Sequence, residues 1–138
     1  ATLEHRGPDG ANFAFREGCA LGFRRLAIID PDAHEIPPFS SEDGQIWTVC
    51  NGEIYNADEL RSALESRGHT FKTYVDTEIL PHLYEEHGEG CLAKLRGMFA
   101  FAIYDARNHS LFAARDRVGK KPGGRSFHAL RPDVRDWQ

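Results

Sequence analysis

Apolar positions along the chain alternate between two spacings. Residues 45–50, Gln45-Ile46-Trp47-Thr48-Val49-Cys50, are rich in β-branched and aromatic side chains and predict a strand. Residues 56–67 carry Leu60, Ala63 and Leu64 at i, i+3, i+4, which predicts a helix with one apolar stripe. Asn56 stands at its N-cap with Glu59 three residues on, a variant of the capping box, and Gly68 closes it. Residues 69–75 read as a short strand through Phe71 and Tyr74. Asp76 then opens a second helix as its N-cap, with Ile79, Leu80, Leu83 and Tyr84 inward and Gly88 at its end. Pro81 falls near the first turn, where a missing N–H costs little.

Residues 90–97 form a short helical turn. Residues 98–105, Met98-Phe99-Ala100-Phe101-Ala102-Ile103-Tyr104-Asp105, are apolar almost throughout and predict a strand buried on both faces. Arg107-Asn108-His109 turns the chain back into a hairpin over residues 111–115. Upstream, residues 20–30 are a strand candidate interrupted by Arg24 and Arg25. Residues 5–10 and 31–44 are loops marked by Gly-Pro, Asp-Gly and Pro-Pro pairs. A strand buried on both faces needs cover on both sides. The elements therefore suggest a layered α+β domain with mostly antiparallel strands.

The chemistry concentrates where the strand at 45–50 runs into Asn51-Gly52-Glu53. An Asn amide beside an exposed backbone N–H supplies two converging donors, as a developing oxyanion requires. Asn-Gly is also the signature of a type I′ hairpin turn, but residues 53–58 make a poor second strand. Arg24 and Arg25 are neighbours, so on a strand they face opposite sides. The inward one needs an anion, either a structural carboxylate or a ligand held bidentately. Asp76 can cap its helix and still offer an oxygen to an ammonium group.

The net charge of −4 gives no footprint for nucleic acid or an anionic membrane. The 41% hydrophobic and 28% charged residues are those of an ordinary globular domain, and no run reaches the roughly 20 apolar residues of a membrane span. Three widely spaced cysteines, Cys19, Cys50 and Cys91, fit neither a disulfide framework nor a CxxC metal site, and suggest a reducing cytosol. The histidines show no ligand spacing; His82 and His87, five apart, fall on different helix faces, so no metal is expected. The basic, glycine-rich stretch 118–125 lacks a phosphate-loop pattern and reads as a solvated loop.

Taken together, HRGPDG (5–10), GFRRLAIID (22–30), NGEIYN (51–56), DTEI with HLYEEHG (76–88), LRGMFAFAIYD (95–105) and ARDRVGKKP (114–122) resemble the class II glutamine amidotransferase domain of glutamine-hydrolysing asparagine synthetases. Six blocks in order are far more specific than any one of them. The resemblance implies an N-terminal-nucleophile hydrolase fold, a four-layer αββα sandwich of antiparallel sheets, here incomplete. It implies hydrolysis of the glutamine side-chain amide and delivery of ammonia to an ATP- and Mg²⁺-using synthetase domain, in the cytoplasm, with no cofactor in this chain. By position, Arg25 would hold the glutamine α-carboxylate, Asn51 and the Gly52 N–H would form the oxyanion hole, and Glu53 and Asp76 would hold the α-ammonium.

The chain departs from the pattern at both ends. The family's nucleophile is a cysteine at the mature N-terminus, whose own amine serves as base. This sequence begins at Ala1, on a segment the resemblance places after that cysteine, and none of its three cysteines replaces it. The expectation is a partial domain over residues 1–122, a divergent polar tail over residues 123–138, and no glutaminase turnover by the chain as given. The alternatives are a non-catalytic glutamine-binding module and an amidotransferase domain serving another ammonia acceptor. An incomplete sheet also leaves open edges through which two copies could pair as a homodimer.

Overall fold

The computed structural model describes residues 10–25 and 37–117, without the side chains of Gly10, Arg24 and Arg25. Expectations for the loop at 5–10, the end of the strand at 20–30, the start of the loop at 31–44, and the tail lie wholly or partly outside the described residues. Among the described residues, six strands and two helices follow one another: β1 (Gly10–Arg16), β2 (Cys19–Arg25), β3 (Phe39–Ser40), β4 (Ile46–Ile54), α1 (Ala57–Glu65), α2 (Ile79–His87), β5 (Gly97–Asp105) and β6 (Ser110–Arg115). Short 3₁₀ turns at Asp76–Glu78 and Gly88–Lys94 flank α2. Every strand pair is antiparallel: β1 with β2 in one sheet, and β3-β4-β5-β6 in a second.

The core lies between the four-stranded sheet and the helices. Ile46, Cys50 and Ile54 of β4 alternate onto one face, and the register sets Phe101 and Phe99 of β5 opposite Cys50 and Gly52. Leu64 of α1 and Ile79, Leu80 and Leu83 of α2 close over them, all nearly fully buried. On the opposite face the β1–β2 hairpin makes contact. The Arg16 guanidinium lies 3.9 Å from the centre of the Trp47 ring, and the Tyr104 hydroxyl donates to the Glu17 carbonyl at 2.8 Å. Among the described residues this gives helix, sheet and hairpin layers. Most of β5 is buried, as its apolar run requires.

Four local expectations are corrected. β4 does not end at Cys50; it continues through Asn51 and Gly52 to Ile54, because β5 offers it a partner at every position. The Asn-Gly pair is therefore mid-strand and not a hairpin turn. Residues 69–75 form no strand. Their backbone is held instead by the buried Glu78 carboxylate, which accepts from the N–H groups of Lys72 (2.7 Å) and Thr73 (2.8 Å) and the Thr73 hydroxyl (2.7 Å). Asn56 occupies the N-cap of α1 without capping it. Its amide bridges to the far segment, donating to the Lys94 carbonyl and accepting from the Arg96 N–H, each at 2.9 Å. Asp76 is the first residue of a 3₁₀ turn whose N-cap is Val75, so it does not stand at the cap position.

Strand β1 has no counterpart in the sequence reading. Its two phenylalanines, Phe13 and Phe15, share an exposed face while only the small Ala14 is buried, so the apolar pattern does not announce a core strand. The two-residue β3 also lies within the expected loop, where it pairs with Trp47 and Thr48.

Two glycines set how closely β4 and β5 run. Gly52 (φ 144°) and Gly97 (φ 155°) adopt backbone angles that side chains rarely tolerate. A Cβ on Gly52 would collide with the Met98 carbonyl oxygen, and one on Gly97 with that of Glu53. Gly97→Ala should therefore lower unfolding free energy by about 3 kcal/mol or more, through strain and backbone displacement together. Urea denaturation measures this; a loss below about 0.5 kcal/mol, the size of an ordinary surface substitution, would show that the strands can separate at no cost.

Candidate functional site

The direction of the Gly52 N–H follows from the hydrogen bonds around it. Phe99, its partner across the ladder, turns both its polar groups toward the far side of β5. Its N–H donates to Asp116 Oδ2 at 3.0 Å and its carbonyl accepts from the Asp116 N–H at 2.8 Å. Gly52 and Phe99 are thus a non-bonded pair, and Gly52 directs its N–H away from β5. Two residues on, Ile54 does the same, and its N–H donates to Asp76 Oδ2 at 2.6 Å. On that edge β3 pairs only with Trp47 and Thr48, so no described strand covers positions 49–54.

Asn51 is exposed beside this edge, on the face opposite Cys50 and the core. An outward amide and an edge N–H from consecutive residues supply the two donors that an oxyanion needs. Glu53 follows in the same strand, half-buried, and Asp76 is clipped to the strand end through Ile54. Asn51, Gly52, Glu53 and Asp76 are thus brought to one region of the sheet. Arg25 ends β2, where its backbone stands opposite Gly10; its side chain lies outside what is described.

The carboxylates there are unevenly stabilised. Burial pushes the Asp76 carboxyl above its ordinary range; the N–H groups of Ile54 and Thr77 pull the other way, and the charge of Glu53 adds to the rise. A cation seated between Glu53 and Asp76 would relieve both the burial penalty and the repulsion. The structure gives no such invitation to a thiol chemistry. Cys91 is fully buried and its thiol is pushed up to about 12 by burial; Cys50 is buried in the core; burial raises the thiol of Cys19 as well. Nucleophilic thiolates sit in exposed, electropositive surroundings.

Sequence reading named Asn51, Gly52, Glu53 and Asp76 but missed Ile54, whose backbone N–H decides where Asp76 points. No side-chain signal could have marked it. Cys50 was placed beside the site in sequence, yet strand alternation buries it on the other face.

The raised Asp76 pKa has a consequence for stability. An acid whose folded pKa lies above its unfolded value stabilises the fold only while protonated. Its contribution is complete below the ordinary value of 3.8 and is lost as pH rises through the raised value. Asp76→Asn keeps an acceptor for the Ile54 N–H without the charge. Relative to wild type, that variant should be more stable at pH 7 than at pH 3, as read by urea midpoints of both proteins. A difference independent of pH would mean that Asp76 ionises as freely in the fold as in the unfolded chain.

Known proteins resemble this chain in sequence and in fold. A family profile described as a glutamine amidotransferase domain matches residues 1–125. The chain is 48% identical over 120 residues to an asparagine synthetase [glutamine-hydrolyzing] of Sandersonia aurantiaca, covering 87% of this chain and 22% of that protein. It is likewise 48% identical over 120 residues to asparagine synthetase [glutamine-hydrolyzing] 1 of Bacillus subtilis (strain 168), covering 87% and 19%. Among solved structures, it resembles a glutamine phosphoribosylpyrophosphate amidotransferase from B. subtilis, with TM-score 0.51 and 30% identity over 63% of this chain and 21% of that one. An allosteric regulatory enzyme of purine biosynthesis gives TM-score 0.59 and 30% identity, over 72% of this chain and 24% of that one. The chain spans about a fifth of the length of the synthetases it matches. By the match of its sequence and the antiparallel α+β architecture it shares with these enzymes, the chain belongs to the glutamine amidotransferase domain family.

Proposed function

We propose that this chain is most of the glutamine-hydrolysing domain of an asparagine synthetase. The domain binds L-glutamine, stabilises the oxyanion formed at its side-chain amide, and supplies ammonia to a synthetase domain elsewhere in the longer protein. ATP and Mg²⁺ belong to that second domain, and no residue of this chain is assigned to them. The enzyme acts in the cytoplasm, as the family resemblance implies. Residues 1–122 make up the amidotransferase part, and residues 123–138 a separate polar tail.

The observation that carries this reading is the Gly52 N–H turned to the edge of β4 that no described strand covers, with Asn51 beside it and Asp76 fastened to the same edge. Free glutamine has one carboxylate, one ammonium and one amide carbonyl. Arg25 takes the carboxylate bidentately. Glu53 and Asp76 take the ammonium, which removes the burial and repulsion that otherwise raise the Asp76 pKa. The amide carbonyl then lies against Asn51 and Gly52, whose donors strengthen as charge develops on its oxygen. A side chain at position 52 would displace the backbone that carries one of those donors.

The attacking thiolate is the family's N-terminal cysteine. The three cysteines of this chain do not substitute for it, since two are buried in the core and burial disfavours the thiolate of Cys19 and Cys91. In the longer synthetase, Asn51→Ala should lower kcat for ammonia release by about 10²–10³-fold with a much smaller change in KM, because the oxyanion exists only in the transition state. Arg25→Ala should act mainly on KM. Unchanged turnover on loss of the Asn51 amide would remove it from the oxyanion hole. Calorimetry of the 138-residue chain with L-glutamine should give saturable binding that Arg25→Ala abolishes. Binding heat unaffected by that substitution would remove Arg25 from the site.

A further inference from the structure

Away from the glutamine site, four potential ligands converge from three separate segments. Glu42 comes from the turn before β4, His69 from the segment after α1, and His82 and Glu85 from α2. One donor atom of each lies within 4.8 Å of all the others. His82 and Glu85 are three apart in one helix, so both project from the same face. This is the juxtaposition that histidine spacing in the sequence did not reveal. His82 pairs with His69, not with His87, and the two rings meet edge to face with centroids 5.2 Å apart.

We propose that Glu42, His69, His82 and Glu85 form a site for a divalent transition metal, zinc by preference, that clamps the turn at 41–44 and the segment at 69–75 onto α2.

The spacing suits such an ion. Zinc bonds of about 2.0–2.2 Å in a tetrahedron put the ligand atoms roughly 3.4 Å apart. Glu42 lies 3.2 Å from His69 Nδ1 and 3.1 Å from His82 Nδ1, and Glu85 Oε2 lies 3.8 Å from His69 Nδ1. Small side-chain adjustments complete the sphere. The donor set of two imidazoles and two carboxylates is one zinc accepts.

Two further observations point to a cation. Glu85 Oε2 is buried and is the one such side-chain oxygen among the described residues without a hydrogen-bond partner. Protons on the two histidines can bridge each Nδ1 to Glu42, but they leave this oxygen unsatisfied. A metal satisfies it along with the others. The outer ring of the site is also in place. His69 Nε2 lies 2.9 Å from Glu86 Oε1, the carboxylate–histidine arrangement that leaves the other ring nitrogen to bind metal. Glu86 is itself held by Arg67 at 2.6 Å. His82 is packed edge to face on Phe71, with centroids 4.7 Å apart, which fixes its ring. The His82 side chain is 2% exposed and that of Glu42 38%, so the site has an anchored inner wall and an open outer one for entry.

The full 138-residue chain, stripped with chelator, should take up one equivalent of Zn²⁺ in competition with a chromophoric chelator, and its melting temperature should rise with added Zn²⁺. Co²⁺ in place of Zn²⁺ should give the intense visible bands of a tetrahedral ion. Glu85→Gln is half-buried and spares the core. It should weaken Zn²⁺ binding at least tenfold and dim the Co²⁺ bands while leaving the far-ultraviolet dichroism of the metal-free chain unchanged. His69→Gln should abolish stoichiometric binding, and Glu86→Gln should weaken it by about 10–100-fold. Failure to bind near one equivalent would overturn the proposal. So would Zn²⁺ affinity that survives both Glu85→Gln and His69→Gln in folded protein, which would assign the metal to surface histidines elsewhere. None of these readouts involves glutamine, so the outcome is independent of the function proposed above.

Discussion

The structure depends on the close approach of β4 and β5 at Gly52 and Gly97. Each glycine leaves empty the volume that a Cβ would fill, and the facing strand's backbone occupies it. The ladder from Ile46 to Ile54 can then stay paired at every position. The left-handed backbone angle at Gly52 and the bonds of Phe99 with Asp116 together turn the Gly52 N–H toward the outer edge of β4. A donor at that edge is a product of strand packing. It needs no catalytic side chain of its own, and it is held opposite the buried Phe99 of β5.

The second constraint is the use of polar side chains as long-range clips instead of local caps. Asn56 and Asp76 both stand at helix starts, where their residue types ordinarily satisfy helix N–H groups. Asn56 is spent elsewhere, on residues 94 and 96, and Asp76 reaches back to Ile54 as well as to the Thr77 N–H. Glu78 similarly folds up the segment that precedes it. These clips tie α1, α2 and the segments between them to the end of β4, the same end that carries the candidate site. Position there is consequently fixed by charged and amide groups, while the apolar core fixes only the distance between helices and sheet. The charge of Asp76 is the exception to comfort in this arrangement, since burial and Glu53 both act against it. A ligand ammonium would complete it.

Much of this was legible in the chain alone. The apolar run at residues 98–105 required a strand covered on both faces, and β5 is one. The stripe Leu60-Ala63-Leu64 placed α1, although Ala63 itself is exposed and only Leu64 is deeply buried. The stripe in α2 was complete. The antiparallel α+β class followed from these elements and was sharpened by the resemblance to amidotransferase domains. Where local reading failed, a distant partner had overridden it. Asn51-Gly52 has the composition of a turn, yet β5 lies alongside and extends the strand through it. Residues 69–75 have the composition of a strand, yet the carboxylates of Glu78 and Glu42 take up the N–H groups of Lys72, Thr73 and Thr70. Phe13 and Phe15 hide β1, because their exposed face is apolar and its buried face small.

The sequence by itself determined which residues could bury themselves, at which period, and which side chains carry charge or hydrogen-bonding groups suited to a small polar ligand. That is information carried by neighbours in the chain, where 2.0- and 3.6-residue periodicities are set by backbone geometry. Only the tertiary structure decided the direction of the Gly52 N–H, the attachment of Asp76 to Ile54, and the meeting of Glu42, His69, His82 and Glu85. Each of these joins groups far apart in the chain, and their directions are set by the strand and helix that meet there, so no local pattern could encode them.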